Sequence, residues 1–219
     1  LNDNYEGIYL LEINGRYDGY SKFPTDQQRG FFPSASVGYK ISNEKFMEST
    51  RGWLNDLKLR ASTGSIGNQN VGNNAFLSVL NSANPWWINS GVIAPPSMGL
   101  PTNVDPNLTW EKVYTNDVGI DIRIFNMLGA SFDWYERNTK GMLAPGITLP
   151  GSFGQAAAQT NSGNMKTTGW ELALNFNKEI NKDISVFADL ALSDYKSEVT
   201  KWNNSSKLLT TYYDGYEIG

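Results

Sequence analysis

The sequence predicts an all-β protein, an antiparallel transmembrane β-barrel segment of about 7–8 strands. Three observations predict this fold: strictly alternating segments, no long apolar run, and connections that alternate between short turns and long loops. The alternation is clearest in residues 118–124 and 128–135, two segments joined by three residues. Apolar side chains take every second position there, and polar or charged ones take the positions between. A period of two is typical of a strand. One apolar face opposite a charged face suits a transmembrane barrel strand, which has lipid on one side and water on the other.

Composition narrows the possible functions. The 219 residues include no Cys and no His, which excludes disulfides, thiolate or imidazole metal ligands and a Ser–His nucleophile pair. The net charge is −4 and no basic stripe is present, so nucleic-acid binding gains no support. Mean hydropathy is −0.42, and the sequence lacks the run of about 18 apolar residues that marks a transmembrane helix. We therefore expect no enzyme activity, no cofactor and no metal site.

Seven segments carry the alternation in chain order. They cover residues 7–20, 31–41, 57–64, 109–124, 127–139, 169–178 and 184–196, and a possible eighth strand begins near Leu208. The second and third segments are joined by a short helical turn that ends at Gly52, with Ser42 as an expected N-cap. Residues 65–108 and 143–166 show no sustained period and are predicted to be long loops.

The connections alternate in length along the chain. Three or four residues follow segments four and six, whereas the connections after segments one, three, five and seven are longer and irregular. Short turns on one side and long loops on the other are typical of outer-membrane barrels. Aromatic residues near segment ends favour an interfacial belt over a sandwich core; they are Trp110, Tyr114, Trp134, Tyr135, Trp170 and Tyr195.

Charged residues on the polar faces are candidates to line a hydrated lumen. They are Asp121, Arg123, Asp133, Arg137, Glu171 and Asp189. We expect Asp121 and Arg123 to oppose Asp133 and Arg137 in a cross-strand charge ladder that fixes the register. The alternative is a pair of carboxylates acting as general acid and base, which is less favoured because lumen water would solvate them.

Tryptophans in the loops are candidates for contact with a substrate or a partner. Trp86 and Trp87 lie in the first long loop, and Trp202 follows the last alternating segment. Indole rings stack on sugar rings and anchor protein interfaces. The alternative is a hydrophobic clamp that folds the loop onto itself.

Several stretches resemble one known family. Residues 32–69 include the motifs FPSASVGYKIS and WLNDLKLRASTGSIGNQ, and residues 107–121 and 161–171 add NLTWEK and NSGNMKTTGWE. In order and spacing, over nearly the whole chain, they resemble the barrel of SusC/RagA-type TonB-dependent outer-membrane transporters of Bacteroidetes.

The resemblance implies a location in the bacterial outer membrane and a barrel of about 22 strands closed by a plug. It also implies energy coupling through TonB and a SusD-like surface lipoprotein that captures glycans or, in some members, peptides. Dimers of transporter–lipoprotein pairs are a further implication. On this basis residues 1–219 are expected to form part of the barrel domain, without the plug or the TonB-contacting segment. The expected function is import of a nutrient, an oligosaccharide or else a peptide.

A soluble carbohydrate-binding module of sandwich type is the alternative. Seven strands suit a β-sandwich in number, and Trp86, Trp87 and Trp202 would form its stacking platform. The charged faces argue against it, because they would make a poor sandwich core.

Overall fold

The computed structural model describes residues 1–72, 75–83, 88–89, 92–93, 97–146, 149–202 and 216–218. These residues form strands and three short 3-10 helices. The described part of the chain contains no helix long and apolar enough to span a bilayer.

The strands have the following bounds. The first four are β1 Asn2–Tyr5, β2 Tyr9–Gly19, β3 Arg29–Lys40 and β4 Leu54–Asn68. Four short strands follow: β5 Leu80–Ala83, β6 Ile88–Asn89, β7 Val92–Ile93 and β8 Ser97–Pro101. The last five are β9 Glu111–Ile124, β10 Leu128–Pro145, β11 Gln159–Asn181, β12 Ile184–Lys201 and β13 Tyr216–Ile218. The 3-10 helices cover Ile41–Asn43, Lys45–Thr50 and Gly151–Phe153.

One large sheet dominates the described residues. Its order is β1-β2-β3-β4-β9-β10-β11-β12-β13, and the first eight of these strands are antiparallel to their neighbours. The short β13 pairs with β12 in parallel. The pairs β5–β8 and β6–β7 form two separate small sheets. The predicted all-β antiparallel fold is confirmed, and all seven alternating segments are strands.

The structure extends the predicted strands and adds β1, besides the short β5 to β8 in the first long loop. Strand β1 pairs with β2 and was not predicted. Strands β10 and β11 have 18 and 23 residues, so they take up much of the predicted loop 143–166. Irregular pairing near Met142 and Asn164 interrupts the period of two, which is why the alternation in the sequence ends before the strands do.

The connector between β3 and β4 is helical, as predicted, but it is made of two 3-10 helices. The expected N-cap at Ser42 is wrong, since the structure gives neither helix a side-chain cap. Ser42 is instead buried, and its Oγ donates to Asp56 Oδ1 over 3.2 Å. The first long loop contains β5 to β8. The predicted start of an eighth strand near Leu208 lies outside the described residues.

The register gives the large sheet two unlike faces. Leu11, Val37 and Ala61 form one row with Val118 and Trp134, and Val118 is 55% exposed. Neighbouring rows on this apolar face contain Tyr39, Leu59, Ile120, Phe132, Leu172, Leu192, Ile122, Leu174 and Leu190. Because side chains alternate across a strand, the residues between them share the opposite, polar face.

The buried hydrophobic cluster lies at the long-loop end of the sheet, away from these rows. It joins Phe23, Phe32, Val71, Leu108 and Trp110. Trp110 is 2% exposed, with its ring centroid 5.2 Å from that of Phe23. The belt position predicted for Trp110 is therefore wrong, because the loop that follows β2 covers it.

Candidate functional site

The polar face is organised around Arg60. Arg60 Nε donates to Asp121 Oδ2 over 2.8 Å and Arg60 Nη2 donates to Asp121 Oδ1 over 2.9 Å. The same Nη2 lies 2.9 Å from Asp133 Oδ1. Ser131 Oγ donates to Asp121 Oδ1 over 2.8 Å. One guanidinium thus binds carboxylates from two further strands, and a planar fork of donors is suited to such bidentate pairing.

Glycine at position 119 leaves room for this cluster. Gly119 is the cross-strand neighbour of both Arg60 and Asp133. A Cβ atom at this position would overlap Asp133 Oδ1 and lie 2.9 Å from Arg60 Nη2. The guanidinium can cross β9 because no side chain stands in its way.

The predicted charge ladder needs a correction. The register places Asp121 opposite Ser131, and Asp133 opposite Gly119 and Glu171. Arg123 lies opposite Gly129 and Asp56, so neither Arg123 nor Arg137 is the cation that binds these two aspartates. Arg60 takes that role, because β4 pairs with β9 across the first long loop.

The other predicted residues share the face without joining the cluster. Arg137 lies opposite Thr115 and Thr167, with its guanidinium carbon 5.9 Å from the Tyr135 ring centroid. Asp189 lies opposite Asn175. All six predicted residues therefore occupy one face of the sheet, but only Asp121 and Asp133 meet at Arg60.

Two tyrosines of the predicted belt also belong to the polar face. Tyr135 and Tyr195 lie on either side of Gly169 in the register. A Cβ at Gly169 would lie 2.6 Å from the Tyr135 hydroxyl and 2.9 Å from Tyr195 Cβ. These two rings therefore face away from the apolar rows, whereas Trp134 and Trp170 are paired neighbours on the apolar face.

The two long loops contact each other at one end of the sheet. Gln155 Nε2 donates to the carbonyl of Pro101, and Asn103 Nδ2 donates to that of Ala156 over 3.4 Å. A cleft of about 600 Å³ between them is lined by aliphatic and amide side chains, among them Leu77 and Leu100. This cleft is a candidate contact surface that the sequence did not indicate, since the alternation is absent from both loops.

The tryptophan candidates are placed only in part. Trp86 and Trp87 lie outside the described residues. Trp202 is partly buried, and its Cε3 is 3.6 Å from the point that a Cβ of Gly163 would occupy. Among the described residues, no group of three metal-ligating side chains is present.

Comparisons with known proteins find relatives among TonB-dependent receptors. A family model described as TonB dependent receptor-like, beta-barrel, matches residues 2–217. TonB-dependent receptor P26 of Formosa agariphila is 33% identical over 91% of this chain and 20% of its own length. TonB-dependent receptor SusC of Bacteroides thetaiotaomicron is 30% identical over 92% of this chain and 20% of its own.

A comparison with solved structures finds a similar fold. The RagAB peptide importer in its closed-closed state superimposes with a TM-score of 0.82 at 27% identity, covering 98% of this chain and 24% of that chain. The chain spans about a fifth of the length of the curated relatives it matches.

Proposed function

This chain belongs to the TonB-dependent receptor-like β-barrel family, and we propose that it forms part of the wall of a nutrient importer in the bacterial outer membrane. The supporting observation is the contrast between the two faces of the sheet. Large apolar side chains such as Val118, Leu190 and Leu192 are about half exposed on one face. Soluble proteins rarely leave so wide an apolar surface uncovered. Lipid covers such a surface in a barrel.

The polar face is proposed to line the water-filled interior. Arg60 pairs with Asp121 and Asp133 across three strands, and about a third of the Arg60 and Asp121 side chains stays exposed. In this arrangement the cluster holds strand register, and the lumen solvates what the ion pairs leave open. Strands of 14 to 23 residues from β9 to β12 exceed the 9–11 or so that a bilayer requires.

Import requires energy and a capture partner. We infer that TonB acts through a plug domain of the full protein, and that a SusD-like lipoprotein docks on the long loops. The contact between the two loops at Pro101 and Gln155 supports a shared docking surface for that partner. Trp86, Trp87 and Trp202 remain the proposed aromatic contacts.

An oligosaccharide is the proposed cargo, and a peptide is the second candidate. The loop tryptophans favour a sugar, because indole rings stack on pyranose faces. The solved relative RagAB is titled a peptide importer, which favours the second candidate.

Extraction and uptake by the full-length protein test this proposal. The protein should leave the cell envelope only with detergent and should migrate differently on gels before and after boiling. A strain that lacks the protein should lose uptake of a labelled oligosaccharide or a labelled peptide mixture, and the class that is lost identifies the cargo. Release into buffer without detergent would instead favour the soluble carbohydrate-binding module.

A further inference from the structure

On β9 to β12 the apolar face ends on the long-loop side, whereas on β2 it continues one row further with Ile13. Trp134 and Trp170 are cross-strand neighbours in its last large apolar row, and the Trp170 ring lies 6.4 Å from that of Phe132. The next row on the same face contains Asn116, Glu136 and Thr168. Tryptophan is enriched where hydrocarbon meets headgroups. This row therefore marks the membrane interface on the apolar face, the face that is proposed to contact lipid.

Lysines occupy each of the three rows beyond that boundary. Lys196 lies opposite Thr168 in the first row, and Lys166 opposite Asn138 in the second. Lys112 and Lys140 are direct neighbours in the third row, and Lys201 lies opposite Asn164 in that row. These five residues are named the lysine rows. At 3.3 Å per residue they lie about 7, 13 and 20 Å along the strands from the tryptophans.

The carboxylates near the lysine rows leave a positive excess. Lys166 Nζ lies 2.8 Å from Glu136 Oε2, and Lys196 Nζ lies 2.8 Å from Glu198 Oε1. A third acid, Asp194, lies opposite Trp170 itself, and a fourth, Glu217 of β13, lies opposite Glu198. Five lysines therefore stand against four acids.

The third row contains the lysines that are open to a ligand. Lys140 Nζ lies 5.4 Å from the Tyr114 ring centroid. In the described part of the chain, Lys112, Lys140 and Lys201 are exposed and belong to no ion pair. Three uncompensated ammonium groups therefore face outward in a protein whose net charge is −4.

The opposite end of the sheet lacks this excess. In the helical connector, Lys45 and Arg51 are matched by Glu44 and Glu48. At the turn between β11 and β12, Lys178 and Lys182 are matched by Glu179 and Asp183. The positive excess is thus a property of the long-loop end, which faces the cell exterior in barrels of this type.

We propose that the lysine rows bind the phosphate groups of the glycolipid that forms the outer leaflet of the outer membrane. This inference rests on the proposed function, which places the apolar face in that membrane. The lysine rows lie on the headgroup side of the tryptophan row, and a strand tilt of about 40° places them about 5, 10 and 15 Å above it. Each basic residue near an anionic lipid surface adds about a fivefold gain in binding.

The test measures phosphorylated glycolipid retained by the full-length protein after purification in mild detergent. Native mass spectrometry counts the bound lipids, and rebinding uses vesicles of phosphatidylethanolamine with purified lipid A. The triple variant Lys112→Gln, Lys140→Gln, Lys201→Gln should bind these vesicles at least tenfold more weakly than the wild type. Lipid A stripped of its phosphates should bind the wild type as weakly as the variant, and inorganic phosphate should compete only at much higher concentration.

A matched control removes three lysines from the other end: Lys45→Gln, Lys178→Gln, Lys182→Gln. This control should retain the wild-type amount of glycolipid, and an arginine version of the first triple variant should retain it too. Heat-modifiable migration of each variant shows that the barrel has assembled. Equal retention by the first triple variant and the wild type overturns the inference while leaving the proposed function intact. If the wild-type protein is instead extracted from the cell envelope without detergent, the proposed function itself is wrong.

Discussion

Arg60 on β4 and Asp121 on β9 form a bidentate ion pair, although they are 61 positions apart in the chain. The pair spans the junction at which the chain returns to the sheet after its first long loop. Asp133 on β10 extends the contact to a third strand. This cluster therefore links β4 to the hairpin of β9 and β10, which lies beyond the first long loop in the chain.

Replacing Arg60 should weaken the barrel. In Arg60→Gln the two aspartates lose their shared cation while remaining only partly exposed, so the free energy of unfolding should fall by about 1–2 kcal/mol. Urea unfolding of the full-length protein in detergent measures the change. Arg16→Gln is the control, because the Arg16–Asp18 pair is within one strand and Arg16 is 69% exposed. An equal loss in both variants would contradict a special role for Arg60.

Asp133→Asn separates a structural role from a transport role. The substitution keeps the shape of the side chain but removes one of the two charges that Arg60 binds, and we expect lower stability with uptake retained in the protein that folds. The measurements are unfolding and cargo uptake per folded molecule. Unchanged stability with abolished uptake would show that the assignment of Asp133 to strand register is mistaken.

Gly119→Ala should be destabilising for steric reasons. The new methyl group would overlap Asp133 Oδ1 and press on Arg60, and crowding of this kind costs about 1–3 kcal/mol. Gly19→Ala, also in a strand, has nothing within 4 Å of the added Cβ and should be near neutral. The two free energies of unfolding are compared directly; a neutral Gly119→Ala would mean that the cluster can rearrange freely.

A lysine placed on either side of one strand should reveal the two solvents. Leu190→Lys puts a charge on the apolar face, next to Leu174 in the register. A lysine that faces lipid near the bilayer centre costs about 2–4 kcal/mol. Ala191→Lys is the matched control, since its side chain points to the polar face. Yield of heat-modifiable protein in the outer membrane should fall in the first variant alone. Similar yields would argue against lipid on the apolar face.

Replacing both loop tryptophans should affect capture while sparing assembly. In Trp86→Ala, Trp87→Ala the proposed docking loop loses its largest apolar side chains, and such anchors carry about 2 kcal/mol or more each in an interface. Co-purification of the lipoprotein and binding of labelled cargo provide the readouts. Trp134→Phe, on the apolar face, serves as control. Wild-type binding in the double variant would leave the hydrophobic clamp as the remaining explanation for these residues.

The strands were predictable because their alternation is local. A side chain on β9 or β12 points to one face of the sheet or the other according to its own position, so the pattern does not depend on which strands are its neighbours. The ends of β10 and β11 were not predictable in the same way. Their pairing continues past irregular positions near Met142 and Asn164, and hydrogen bonds to a neighbouring strand, which the sequence does not display, keep them extended.

Which residues share a face follows from the order of the residues alone, since the period of two fixes the side of every strand residue without reference to its partners. Which charges meet depends on how the strands pair. Arg60 reaches Asp121 only because β4 pairs with β9 across a long loop, and the closure of that loop depends on contacts distant in the chain. The position of Trp110 also depends on distant contacts. Trp110 is buried against Phe23 and Phe32 instead of lying at the expected membrane interface. Alternation depends only on the order of residues within one strand, whereas burial and charge pairing depend on strands that meet only when the chain folds.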